Sequence, residues 1–259
     1  MLIPYIGISD FTSFRQVQEM LEVFEVYRRQ DSKRMLHVGV MMSYKTLHDI
    51  PSRWQNAFPP KETIASIFSS TEVYNCLHYA DYENGWPNLE LGKRLDRAIA
   101  YGGQHIHALQ LDMIWPHPSQ ILLGVHSSRK DIEVILQIGR KALDEIQNDP
   151  QLLVEKLRDY EGTIHRVLLD KSGGKGIGMN AIDLYPFAQA IRESYPELGL
   201  VVAGGLGPER VYRVRPLAEK FPDVSIDAQG WLRPSGNALD PIDWNMAREY
   251  LKEALAVLL

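Results

Sequence analysis

Ile164-His165-Arg166-Val167-Leu168-Leu169-Asp170-Lys171-Ser172-Gly173-Gly174-Lys175-Gly176 is a short apolar run that stops at an acid and passes into a glycine-rich loop. Leu200-Val201-Val202-Ala203-Gly204-Gly205-Leu206-Gly207-Pro208 repeats the pattern. Both runs have the length of a strand and its bias toward branched aliphatic residues. Each leads into a segment of helical period, Ile182 to Ser194 after the first and Pro208 to Lys220 after the second. A buried strand followed by an amphipathic helix is one unit of a parallel sheet, because a parallel neighbour can be reached only by a crossover.

The same alternation extends through the chain. Towards the N-terminus, the apolar runs are Ile3 to Ser9, Met35 to Met42, Val73 to Tyr79, His105 to Asp112 and Ile132 to Ile138. The helical segments that follow them are Phe14 to Arg29, Lys61 to Ser69, Leu89 to Tyr101, a short piece near Ile121, and Lys141 to about Tyr160. Towards the C-terminus, Val224 to Ala228 is the eighth run, and Pro241 to Leu255 closes the chain. Eight strand–helix units with no linker or low-complexity tract predict a single (β/α)8 TIM barrel over residues 1–259. The rival is a doubly wound open sheet. No Gly-x-Gly-x-x-Gly follows the first run, which argues against its dinucleotide-binding form.

Composition narrows the function. A net charge of −5 provides no overall basic field to recruit nucleic acid or an anionic membrane. The one cysteine, Cys76, excludes an internal disulfide and any Cys-based zinc cluster, and fits a reducing compartment. The N-terminal residues have neither a basic region nor a long apolar run, and charges interrupt every later apolar stretch. Neither a signal peptide nor a membrane span is expected, and the expected location is cytoplasmic.

In a barrel of this kind, functional groups stand at the C-terminal ends of the strands. The residues there are Asp10, Ser43 with Lys45, His78 with Asp81, Asp112, Asp170, the pair Gly204–Gly205, and Gly230 after Asp227. Glycines in three consecutive late loops (Gly173 and Gly174, Gly204 and Gly205, Gly230) let successive backbone N–H groups converge on an anion. Pro208 suits the first position of a helix, whose N-terminus would add partial positive charge. The other reading of these glycines is tight strand-to-helix turns alone.

These segments carry a resemblance. Val167 to Gly176 is similar to the Leu-Leu-Asp-Ser…Gly-Gly-Thr-Gly motif of phosphoribosylanthranilate isomerases. Val201 to Val211 resembles that family's Leu-Ala-Gly-Gly-Leu-x-Pro-Glu-Asn-Val. Ala108 to Leu111 looks like its strand-four segment, and Ile226-Asp227 with Gly230 is a weaker match at strand eight. The resemblance implies a small-molecule phosphosugar ligand and a cofactor-free Amadori rearrangement of an N-linked aldose phosphate to a 1-amino-ketose phosphate. It places Asp170 on the family's general acid.

The reacting half departs from the family. Its base is a strand-one cysteine in Lys-Ile-Cys-Gly, where this chain reads Tyr5-Ile6-Gly7-Ile8-Ser9-Asp10. No strand-two arginine is evident, although Lys45 and Arg53 lie nearby, and Asp112 replaces the strand-four histidine. Asp10 and Asp112 are therefore the candidate replacement bases, with His117 in the Trp115–Pro118 loop as a further option. No metal is expected in this reading. The alternatives are a metal-dependent epimerase or lyase using His37, His78, Asp112 and Asp170, and a barrel that binds a phosphometabolite without turning it over. Trp115 and Trp231, which follow strands four and eight, are candidates to flank a ligand.

Overall fold

The computed structural model describes residues 2–55, 57–82, 89–128, 131–171 and 181–258. Eight strands, β1 (Tyr5–Ser9), β2 (Met35–Ser43), β3 (Tyr74–Ala80), β4 (Ala108–Asp112), β5 (Glu133–Gly139), β6 (Arg166–Asp170), β7 (Gly199–Ala203) and β8 (Ser225–Ala228), pair in chain order. All the pairings are parallel, and β8 returns to β1 to close the barrel. The expected TIM barrel is the observed fold.

Side chains alternate between two environments, as the pleat requires. On β1, Ile6 and Ile8 join the apolar layer beneath the helices, together with Leu36, Val38, Val40, Leu109, Leu111, Val167 and Leu169. The intervening residues face inward. Tyr5, Tyr74, Cys76, Ala108, Ile135, Leu168 and Val201 form a separate cluster inside the barrel. The apolar outer face of each strand, at about 25 cal/mol per Å² removed from water, is what binds the helices to the sheet.

The N-terminal end of the interior is filled by a charged plug. Arg166 Nε lies 2.7 Å from Glu133 Oε2, and the Tyr74 hydroxyl donates to the same carboxylate at 2.5 Å. The guanidinium carbon sits 5.3 Å from the Tyr5 ring centroid and 5.2 Å from that of Tyr74, and Nη2 donates to the Ile3 carbonyl at 3.0 Å. Such a buried charge is stable only because its partner and its hydrogen bonds are present.

Two helical expectations are corrected. The segment from Lys141 to Tyr160 is not continuous; it splits into helices Arg140–Glu145 and Pro150–Leu157. Gln147 and Asn148 take φ of 56° and 54°, which ends the first helix, and Asp149 caps the second through the N–H groups of Gln151 and Leu152. Pro208 does not open a helix. The Arg210 and Val211 N–H groups bond back to the Gly207 carbonyl in a turn, which leads to the 3-10 segment Val211–Val214 and then helix Arg215–Lys220. Among the described residues, no helix is long and apolar enough to cross a membrane.

Candidate active site

Asp112 and Asp170 are the last residues of β4 and β6, two positions beyond the inward-facing Gln110 and Leu168. Both therefore turn into the C-terminal mouth of the barrel, half-buried. Burial pushes the Asp112 carboxyl up to about 6. The Tyr82 hydroxyl, which donates to its Oδ1, opposes that rise, and the Asp170 charge adds to it.

Below them lies a third acid. Asp227 on β8 faces inward, two residues beyond Ser225, whose hydroxyl accepts from the Tyr5 N–H at 3.0 Å. Burial raises Asp227 to about 7; the charges of Asp10 and Asp170 push the same way, and a hydrogen bond from Ser9 pulls against them. Ser9 Oγ donates to both carboxylate oxygens at 3.0 and 3.1 Å and lies 3.5 Å from His78 Nδ1. Gln110 Nε2 donates to Gln137 Oε1 at 2.9 Å across the neighbouring strands. Acids that titrate near neutrality at the mouth of a barrel have the protonation states that acid–base chemistry requires.

Asp10 occupies a different place. Its φ of 76° takes the chain out of β1, and its buried carboxylate is held by Arg233 Nη2 and by Gln229 Nε2 at 3.0 Å. Desolvation raises its pKa, and the guanidinium is the largest influence opposing that rise. Arg233 also donates to the Gln229 and Asp240 carbonyls. Asp10 thus anchors the loop after β8.

Gly204 and Gly205 follow β7 with φ of 110° and 68°, conformations that L side chains disfavour. Gly230 begins a 3-10 turn after β8. The two loops are pressed together: a Cβ on Gly207 would stand 2.5 Å from the Trp231 carbonyl oxygen, and Arg210 Cζ lies 3.3 Å from the Trp231 ring centroid. The barrel thus brings Gly204, Gly205 and Gly230 to the same end as Asp112 and Asp170. Gly173 and Gly174 lie outside the described residues. His117 Nδ1 accepts from the Ser119 N–H and so caps helix Pro118–Ser127. Trp115 is buried against Tyr160 in the outer core.

The sequence reading gave no role to Asp227, Ser9, Tyr82 or Arg233. Strand alternation was a usable signal for the first two, since Tyr5, Gly7 and Ser9 share one face, as do Ser225 and Asp227. No family model matches the chain. It is 31% identical over 112 residues to the N-(5'-phosphoribosyl)anthranilate isomerase of Pyrococcus abyssi (strain GE5 / Orsay), covering 43% of this chain and 46% of that relative. The match thus spans about half the relative's length. The structure of N-(5'-phosphoribosyl)anthranilate isomerase from Pyrococcus furiosus superposes with a TM-score of 0.59 at 16% identity, covering 98% of this chain and 100% of that one.

The chain is a TIM barrel, similar over part of its length to a phosphoribosylanthranilate isomerase.

Barrels of other enzymes superpose as well, so the architecture alone does not single out a reaction. Phosphonopyruvate hydrolase has a TM-score of 0.51 at 13% identity, over 87% of this chain and 74% of that one. Citrobacter amalonaticus methylaspartate ammonia lyase has 0.53 at 10% identity, over 100% and 60%. At these identities the likeness is one of fold.

Proposed function

We propose that this protein is a phosphosugar isomerase that converts an aldose phosphate, or an N-linked aldose phosphate, to the corresponding ketose phosphate. Asp170 is the general acid and Asp112 the general base. The observation that carries the reading is the pair of inward-turned acids at the ends of β4 and β6, one of them raised to about 6. Opening the sugar ring needs a proton on the ring oxygen, and forming the enol needs a proton taken from C2. Two carboxyl groups facing one ligand supply both steps without a redox cofactor, and the proton that Asp112 takes from C2 is returned at C1 as the enol hydroxyl gives up its own proton to the Asp170 carboxylate. Asp10 is the weaker base of the two candidates, because Arg233 holds its lone pairs.

Gly7 stands where the family's strand-one cysteine is found, and Cys76 is a thiol raised well above its usual range by burial. Phosphoribosylanthranilate itself is therefore expected to react slowly, by the factor of about 10²–10⁴ that a positioned base contributes. A panel of aldose and amino-aldose phosphates, assayed for ketose formation across pH, tests the proposal. kcat/KM should fall as pH drops through about 6, because the base must be ionised to work. In Tyr82→Phe, Asp112 loses the bond that favours its charged form, so this limb should move to higher pH. Absence of turnover across the panel, or a limb unmoved in the variant, rejects the assignment.

The phosphate is assigned to the backbone around Gly204, Gly205 and Gly230. A left-handed conformation costs an L residue about 1–2 kcal/mol, so Gly205→Val should rearrange this loop and leave the barrel standing. Calorimetry with inorganic phosphate should show binding in the parent and none in the variant, with circular dichroism unchanged. Equal affinity in both removes the loop from the site.

A further inference from the structure

We propose that His37, Cys76 and His78, on the inner faces of β2 and β3, form a binding site for a single zinc ion beneath the barrel mouth. One ligand atom from each of the three lies within 4.8 Å of the other two, and all three side chains are buried. His37 Nε2 and His78 Nε2 are 3.4 Å apart. That separation is the edge expected between two ligands at about 2.0–2.1 Å in a tetrahedral zinc site. The cysteine count had set such a site aside, but a mixed His2Cys set needs only one thiolate.

Proton bookkeeping points the same way. Ser9 has one hydroxyl proton, and its Oγ donates that to Asp227. His78 Nδ1, 3.5 Å from Ser9 Oγ, is then the ring's N–H, which leaves the Nε2 lone pair directed at His37. His78, Ser9 and Asp227 thus make the relay that orients a ligating imidazole from behind.

Two glycines clear the space. A Cβ on Gly39 would lie 2.8 Å from Ser9 Oγ and 2.9 Å from His78 Nε2. One on Gly7 would lie 2.7 Å from Asp227 Oδ1 and 3.0 Å from His37 Nδ1. A side chain at either position would occupy the cradle. The donor set, two imidazoles and one thiol, favours zinc over magnesium or calcium, which take oxygen ligands. The acids Asp112, Asp170 and Asp227 add negative potential at the C-terminal end of the barrel, which favours a cation. This site is independent of the isomerase reading, and its test needs no substrate.

The test uses the full chain, reduced with a phosphine and stripped of metal by a chelator. Titration with Co²⁺ should give one ion per chain, with a thiolate-to-cobalt charge-transfer band and the visible bands of a four-coordinate ion. Zn²⁺ should displace it and raise the melting temperature. Ser9→Ala should weaken binding by about 10–100-fold, as loss of a supporting group does, and Cys76→Ser should lose more affinity together with the charge-transfer band. A folded parent that takes up no stoichiometric Co²⁺ or Zn²⁺ overturns the proposal. So does a folded Cys76→Ser or His37→Gln variant with the parent's spectrum and affinity. Because the parent titration decides by itself, a variant that does not fold leaves the test intact.

Discussion

Asp170→Asn is expected to lower kcat about 10²–10⁴-fold while changing phosphosugar affinity only slightly. Asn keeps the size of the side chain and most of its hydrogen-bonding capacity but cannot deliver a proton to a ring oxygen. An interaction needed only as the proton moves is lost from kcat, whereas uniform binding would be lost from KM. The substitution has a second, electrostatic readout, which reports the coupling of the two carboxyl groups and is separate from the loss of turnover. The charge of Asp170 raises Asp112, so removing it should lower the Asp112 pKa and move the acid limb of any residual activity to lower pH. Wild-type turnover in the variant would make Asp170 structural. Reduced turnover with an unmoved limb would break its link to Asp112.

Arg233→Met should destabilise the fold by about 3–5 kcal/mol, the usual cost of leaving one member of a buried ion pair alone. The guanidinium holds the Asp10 carboxylate and two carbonyls of the loop after β8, and Met fills its volume without replacing any of these bonds. The loss should also depend on pH. Burial already raises Asp10, and without Arg233 its folded pKa rises further above the unfolded value. The folded variant then binds the extra proton, so its stability is fullest at acid pH and is lost as pH rises through the folded pKa. Urea unfolding at pH 5 and pH 8 should therefore show the gap from the parent widening at the higher pH. The Asp10→Asn/Arg233→Met pair should recover part of it. A gap below about 1 kcal/mol, or one independent of pH, would show the pair to be no more than a surface contact.

The strands could be read because each carries its own signal: a branched aliphatic run long enough to cross the barrel, closed by polar or glycine residues. The break at Gln147 and Asn148 was harder, since the residues around it keep a helical period and the stop depends on two left-handed conformations. At the site, the acids ending β4 and β6 were legible because a strand's last residue in this architecture faces the mouth. The relay from Asp227 through Ser9 to His78 was not. It joins residues 218 and 69 positions apart, the first brought together by closure of β8 onto β1 and the second by the pairing of β1, β2 and β3. His37 lies between. The alternation Leu36, Val38, Val40 on one face and His37, Gly39 on the other shows it pointing inward, although no local pattern pairs it with Cys76 and His78.

The Arg166–Glu133 plug gives the barrel a floor as well as a stable N-terminal end. Arg166, Tyr5 and Tyr74 are nearly inaccessible there, so the barrel is closed at its N-terminal end. Whatever meets the acids that end β4 and β6 must therefore arrive and depart on the C-terminal side, and nothing can pass through the barrel from one end to the other.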